Sequence, residues 1–128
     1  MPKKQNDAEL LKKLYEQLKP VFDSSGQSMY IYMDDTNKVC NKKFASLLKY
    51  ASPEEWAKVK ESFPPAFVDQ GSQHTLIHAY QNAMENKEGS VANVIWKAKT
   101  GEKIKTRVIL VPISFKDELF ALHFIEKL

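Results

Sequence analysis

Hydrophobic positions along the chain change period near Gly89, and the change separates a helical half from a strand half. At the start, Leu10, Leu11, Leu14, Tyr15 and Leu18 recur at helical spacing. Lys12, Lys13, Glu16, Gln17 and Lys19 take the other face. The pattern predicts an amphipathic helix over residues 7–19, capped by Asn6 with Glu9 in capping-box position and stopped by Pro20. Such a short helix is marginal alone in water, so the stripe Leu10, Leu11, Leu14 and Leu18 must cover either the body of the domain or a second copy. Apolar runs at 29–33 and 38–40, joined by the turn formers Asp34, Asp35, Thr36 and Asn37, predict two short strands.

Three short helical pieces and one longer helix follow. Asn41 is placed to cap residues 42–49, where Phe44, Leu47 and Leu48 share a face. Ser52, Pro53 and Glu55 mark a second start, carrying Trp56 and Val59 inward and ending before Pro64 and Pro65. Phe67 and Val68 anchor a connecting turn. Residues 72–87 read as the longer helix, closed by Gly89. Beyond it, alternation predicts strands at 90–98, 102–112 and 119–126, with turns at Thr100-Gly101 and at residues 115–118. The last strand is apolar on both sides and needs cover on both. The predicted class is α+β: a five-stranded antiparallel sheet with short helices on one face and the N-terminal amphipathic helix on the other. Residues 1–27 form the helix and linker, and residues 28–128 the domain.

Composition narrows the function. The 128 residues are 43% hydrophobic and 27% charged, as in an ordinary globular domain. No apolar run approaches the roughly 18–20 residues of a membrane span, so no membrane partner is predicted. The charged start leads into no apolar signal segment. Cys40 is the single cysteine, which rules out an internal disulfide framework and fits a cytoplasmic setting. Lysine supplies every basic residue except Arg107, and arginine is the usual reader of phosphates and base edges, so no nucleic-acid partner is predicted.

Several strings, taken in order, resemble the PAS superfamily. Residues 30–39 are similar to its opening hairpin, with Asn37 where glycine is commoner. Asn41, Phe44, Leu47, Leu48 and Tyr50 resemble its Asn-x-x-Phe…Leu-Leu-Gly-Tyr segment, with Lys49 replacing the glycine. Ser52, Glu54 and Glu55 are similar to the start of its next helix. Residues 99–113 are similar to its glycine hairpin and the strand ending in Pro-Ile. The resemblance covers about residue 29 to the C-terminus and implies a sensory module rather than an enzyme.

Candidate chemistry is sparse. His74 and His78 stand at metal-compatible spacing, but they fall opposite the apolar side made by Leu76, Ile77, Tyr80, Ala83 and Met84. A solvated face is expected there, with no metal site. Some PAS sensors hold haem through a histidine on this helix. The outward placement argues against haem, and Cys40 preceding Asn41 argues against the flavin-photosensing arrangement. His123 reads as a satisfied, half-buried histidine, and Lys97, Lys99, Lys103, Lys105 and Arg107 as a solvated basic stripe, with an acidic partner as the sharper alternative. The resemblance implies a cavity between helices and sheet. Its candidate lining is Tyr30, Tyr32, Phe44, Leu48, Trp56, Leu76, Tyr80, Asn93, Ile95, Val108 and Phe124, with Tyr30, Tyr32 or Asn93 as polar handles.

The expected function is a PAS-type sensory or regulatory module in signal transduction. It would form a homodimer through the N-terminal helix, take a small-molecule ligand, and act on a downstream signalling protein or effector domain. One alternative is a ligand-free protein–protein interaction domain. Another is a small cone-shaped α+β isomerase or dehydratase, which ranks last because Asp34, Asp35, Asp69 and Asp117 all fall in predicted turns and no catalytic pair is evident.

Overall fold

The computed structural model describes residues 3–128, with side chains from residue 7 onward. The elements are α1 (Lys3–Ser24), β1 (Ser28–Tyr32), β2 (Lys38–Cys40), α2 (Lys42–Leu47), α3 (Pro53–Ala57), α4 (Phe63–Phe67), α5 (Gln70–Asn86), β3 (Ser90–Lys97), β4 (Lys103–Phe115) and β5 (Glu118–Lys127). The strands form one antiparallel sheet in the order β2-β1-β5-β4-β3. β1 joins the early hairpin to the late meander, with Tyr30 opposite His123 and Ile31 opposite Leu122. Among the described residues, no helix is long and apolar enough to cross a membrane.

The first helix overruns the predicted stop. Pro20 lies inside α1, where it removes one helical hydrogen bond and costs about 3 kcal/mol. Phe22 supplies the offset: it is buried beneath the helix and meets Tyr15 edge-on at 5.5 Å. Burying a phenylalanine contributes about 1.5–3 kcal/mol. At the other end α1 begins before Asn6, whose side chain lies outside the described residues.

Prolines also shift α4. Pro64 and Pro65 lie inside its first turn, where a missing N–H costs nothing, so they begin a helix instead of ending one. Phe67 belongs to that helix, and Val68 forms an isolated bridge to Trp96. The left-handed residue that closes α5 is Lys87 (φ 56°), not Gly89. β4 continues past Pro112 to Phe115. β3 pairs only as far as Leu110, so Pro112 sits where β4 has a neighbour on one side alone.

Two apolar layers flank the sheet. On one side α2–α5 bury Phe44, Leu48, Trp56, Phe63 and Phe67 against Val94, Trp96, Val108 and Ile125. On the other, Leu11, Leu14 and Phe22 of α1 pack on Met29, Ile31, Phe120 and Leu122. Leu10 and Leu18 join that cluster half-buried. Hence the leucine stripe docks on its own sheet. The outer face of β3 and β4 stays open, leaving Val91 63% and Ile109 41% exposed.

Asn41 ties the layers together. Its Oδ1 accepts from the backbone N–H of Phe44 at 3.0 Å, capping α2, and from that of Met29 at 3.1 Å. Its Nδ2 donates to the carbonyls of Gln27 and Phe22 at 2.9 and 3.3 Å. All four bonds form on a buried side chain, and each is worth about 1 kcal/mol net.

Candidate functional site

Strand alternation aims Tyr30 and Tyr32 of β1 and His123 of β5 at the short helices. Between them and α4–α5 lies a cavity of about 70 Å³, lined by Tyr30, Tyr32, Phe63, Pro64, Leu76, Ile77, Tyr80 and His123. Ile77 is partly exposed and marks its mouth. His123 stacks on Tyr30 with ring centres 3.9 Å apart and planes 12° apart. Its Nδ1 lies 3.1 Å from the Ala121 carbonyl, which can only accept, so Nδ1 carries the proton. Burial is complete and holds the imidazole neutral, pushing its pKa down to about 3.

The tyrosines differ in their partners. Tyr32 donates to Asp35 Oδ1 at 2.8 Å, and Tyr80 donates to the Met33 carbonyl at 3.3 Å. Burial raises the pKa of both phenols. Tyr30 is 1% exposed, its hydroxyl has no partner among the described residues, and burial raises its pKa well above the ordinary phenol range. Trp56 Nε1 is a second unpartnered donor in the same aromatic group, its ring centre 5.7 Å from that of Tyr30.

A polar clasp holds the roof. Asp35 Oδ1 also accepts from the Phe63 N–H at 3.0 Å, at the start of α4. The buried Lys38 ammonium donates to the carbonyls of Asp35, Val59 and Ala57 at 2.7, 2.6 and 3.3 Å and lies over the Trp56 ring. Burial lowers its pKa. Three of the four carboxylates of the predicted turns thus bind backbone: Asp34 takes the N–H groups of Thr36 and Asn37, Asp35 that of Phe63, and Asp69 that of Gly71.

Of the predicted lining, Tyr30, Tyr32, Leu76 and Tyr80 meet at the cavity. Phe44, Leu48, Trp56 and Val108 belong to the same core but stand behind the wall. Asn93, Ile95 and Phe124 must be reassigned. Val94 and Trp96 point inward, so alternation turns Asn93 and Ile95 outward, and Asn93 is exposed. Phe124 packs beneath α1. Sequence reading missed Phe63, Pro64, Ile77 and His123. The alternation of His123 with Ala121 and Ile125 was the available signal for the last of these.

Other candidates resolve into structural roles. His74 and His78 are both exposed, 6.3 Å apart by ring centre. Cys40 is fully buried, and burial raises its thiol pKa. The basic stripe is mostly engaged. Lys97 donates to the Pro65 carbonyl, Lys99 and Lys103 pair with Glu55 and Asp69, and Arg107 faces Glu126 at 3.7 Å. A larger polar groove of about 690 Å³ runs past Lys42, Lys43, Lys49 and Lys127, but it is an open surface trough with Glu102 and Glu126 among its cations.

No protein-family model and no curated protein matches the chain. Solved structures do. A PAS domain from Colwellia psychrerythraea superposes with a TM-score of 0.70 at 17% identity, covering 90% of this chain and 97% of that one. A PAS domain from a two-component sensor histidine kinase gives 0.66 at 11% identity, covering 91% and 98%. The Drosophila melanogaster Cycle PAS-B domain, with bound ethylene glycol, gives 0.64 at 8% identity, covering 79% and 99%. At such identities the likeness speaks for architecture, and the architecture of this chain is the PAS fold.

Proposed function

We propose that this chain is a sensory or regulatory module in signal transduction, in which occupancy of the α4–α5 cavity alters the seating of α1. One observation carries the reading: β1 touches both ends of the route. Tyr30 and Tyr32 face the cavity, while Met29 and Ile31, between and beside them, lie under α1. A ligand that displaces the tyrosines shifts the strand on which the helix rests, and packed interfaces respond to such shifts discretely. The β1–β2 turn adds a second link, since Asp35 holds the cavity roof while Met33 and Val39 pack under α1. The kinship in fold with a PAS domain of a sensor histidine kinase and with one that holds ethylene glycol supports the same reading.

The signal leaves through a protein contact. Its natural place is the exposed flank of α1 together with the open β3–β4 face, used by a second copy of the chain or by a downstream signalling protein in a cytoplasmic setting. Native mass spectrometry of the purified chain tests occupancy, and hydrogen exchange along α1 with and without ligand tests coupling. Unchanged α1 exchange at full occupancy would sink the sensory reading. A second reading, a ligand-free interaction domain, is favoured by the uncovered Val91 and Ile109. It predicts a protein that binds its partner equally well with the cavity filled by mutation.

A further inference from the structure

We infer that the step between α1 and the open β3–β4 face docks an acidic amphipathic helix of another protein. The inference rests on the reading above, in which the signal leaves through a protein contact, and names the chemistry of that partner.

One cross-strand row locates the step. Register sets Met29 of β1, Phe124 of β5, Ile109 of β4 and Val91 of β3 side by side. Met29 is 1% exposed beneath α1, Phe124 is half-buried, and Ile109 and Val91 are 41% and 63% exposed. The apolar row therefore runs out from under α1 into solvent. Val21 adds a wall to this floor. At about 100° per residue, Tyr15 and Val21 project on opposite flanks of the stripe Leu11, Leu14, Leu18 and Phe22. Tyr15 shares a small cavity with Val39 and Cys40 of β2, and Lys19, on the same flank, shares a groove with Lys42 and Lys43. Val21, 51% exposed, thus looks the other way, over β4 and β3. It stands level with the row, because its neighbour Phe22 and Met29 are both hydrogen-bonded to Asn41.

Dimensions and charge choose the occupant. α1 rests on β1 and β5, and β4 and β3 lie two strand spacings further, about 10 Å. Packed helix axes stand roughly 8–10 Å apart, so one more helix fits beside α1. Outward along β4, Lys103, Lys105 and Arg107 lead into Ile109, Val111 and Ile113. A helix lying there needs an apolar stripe with acids beside it. Lys103 is engaged by Asp69, but Lys105 makes no ion pair among the described residues, and Arg107 meets Glu126 only at 3.7 Å. A second copy fits less well. Its leucine stripe is committed to its own sheet, and the flank of its α1 beside Val21 brings Lys13 and Gln17 rather than acids. Like charges brought together at a contact disfavour it.

The probes are two fluorescein-labelled, stapled helical peptides of about 18 residues, roughly 27 Å long. Both carry leucine at i, i+3, i+4 and i+7 spacing, with glutamate at the other positions of one and lysine at those of the other. Fluorescence anisotropy with the whole chain should show the glutamate peptide binding about tenfold more tightly, a preference that shrinks as salt is added. Val91→Thr with Ile109→Thr keeps β-branched residues in the strands. This double variant should melt near the wild type and lose about tenfold in affinity for the glutamate peptide. Lys105→Glu with Arg107→Glu should reverse the charge preference, whereas Lys42→Glu with Lys43→Glu, away from the step, should leave it in place. The inference is overturned by no binding of the glutamate peptide, by equal binding of the two peptides, by full affinity in the threonine variant, or by a preference that follows Lys42 and Lys43 instead of Lys105 and Arg107. A dimer in sedimentation velocity that the threonine variant dissolves would also overturn it, because the occupant would then be a second copy. If docking behaves as expected but Leu76→Phe, which narrows the cavity under α5, leaves its affinity unchanged, the docking surface stands and the sensory reading fails.

Discussion

Acidification should destabilise this protein through His123 in particular. The residue is 2% exposed, stacked on Tyr30, and its folded pKa of about 3 lies below the ordinary histidine value of 6.5 because burial disfavours the charged ring. A depressed pKa means that the unfolded chain takes up the proton first. The stabilising contribution is therefore complete above pH 6.5 and is lost progressively as the pH falls toward 3. Between pH 7 and pH 5 the loss comes to about 2 kcal/mol, and any folded value below about 4 gives the same result, because the folded ring is still neutral at pH 5. The comparison protein is His123→Phe, which keeps an aromatic ring against Tyr30 but cannot titrate. His74, His78 and the carboxylates are common to both chains and cancel in the difference. Urea unfolding followed by the fluorescence of the buried Trp56 and Trp96 gives each stability. With a slope of about 1–3 kcal/mol per molar urea, the midpoint gap between the two proteins should change by about 1 M between pH 7 and pH 5. Parallel losses in the two proteins would refute the reasoning, since they would mean that His123 protonates in place and that water reaches the Tyr30 layer.

Three further outcomes are expected. Lys49 adopts a left-handed conformation (φ 66°) at the end of α2, in the position where PAS sequences place glycine, and its exposed side chain makes no hydrogen bond or ion pair among the described residues. Lys49→Gly should gain about 0.5–1 kcal/mol, relief of backbone strain less the added unfolded-state entropy, and Lys49→Ala should gain nothing; differential scanning calorimetry separates them. Phe22→Ala removes the ring that keeps α1 helical beyond Pro20, so it should cost about 3–5 kcal/mol and raise hydrogen exchange in residues 20–24. Asp35→Ala strands the Phe63 N–H and the Tyr32 hydroxyl, so it should cost about 1–3 kcal/mol and hasten exchange across α4 while leaving β3–β4 protected.

Periodicity by itself determined the element order, the antiparallel meander, the caps at Asn41 and Ser52, and the need for cover on both sides of β5, because these follow from spacings of 3.6 and 2 and from local capping chemistry. It could not set helix ends at prolines. At Pro20 a local penalty met the tertiary burial of Phe22, and at Pro64 the same residue type fits a first turn that the burial of Phe63 anchors; burial is a property of distant strands. The cavity divided in the same way. Tyr30, Tyr32, Leu76 and Tyr80 were legible as inward aromatic or apolar positions, whereas Asn93, Ile95 and Phe124 were lost to the phase of alternation, which only pairing register fixes. That His123 would stack on Tyr30, that Asp35 would hold α4 across 28 positions, and that one tyrosine hydroxyl would be left without a partner were decided by tertiary packing alone. Hydrogen bonds and voids between remote segments depend on where chains cross, and no local spacing encodes that.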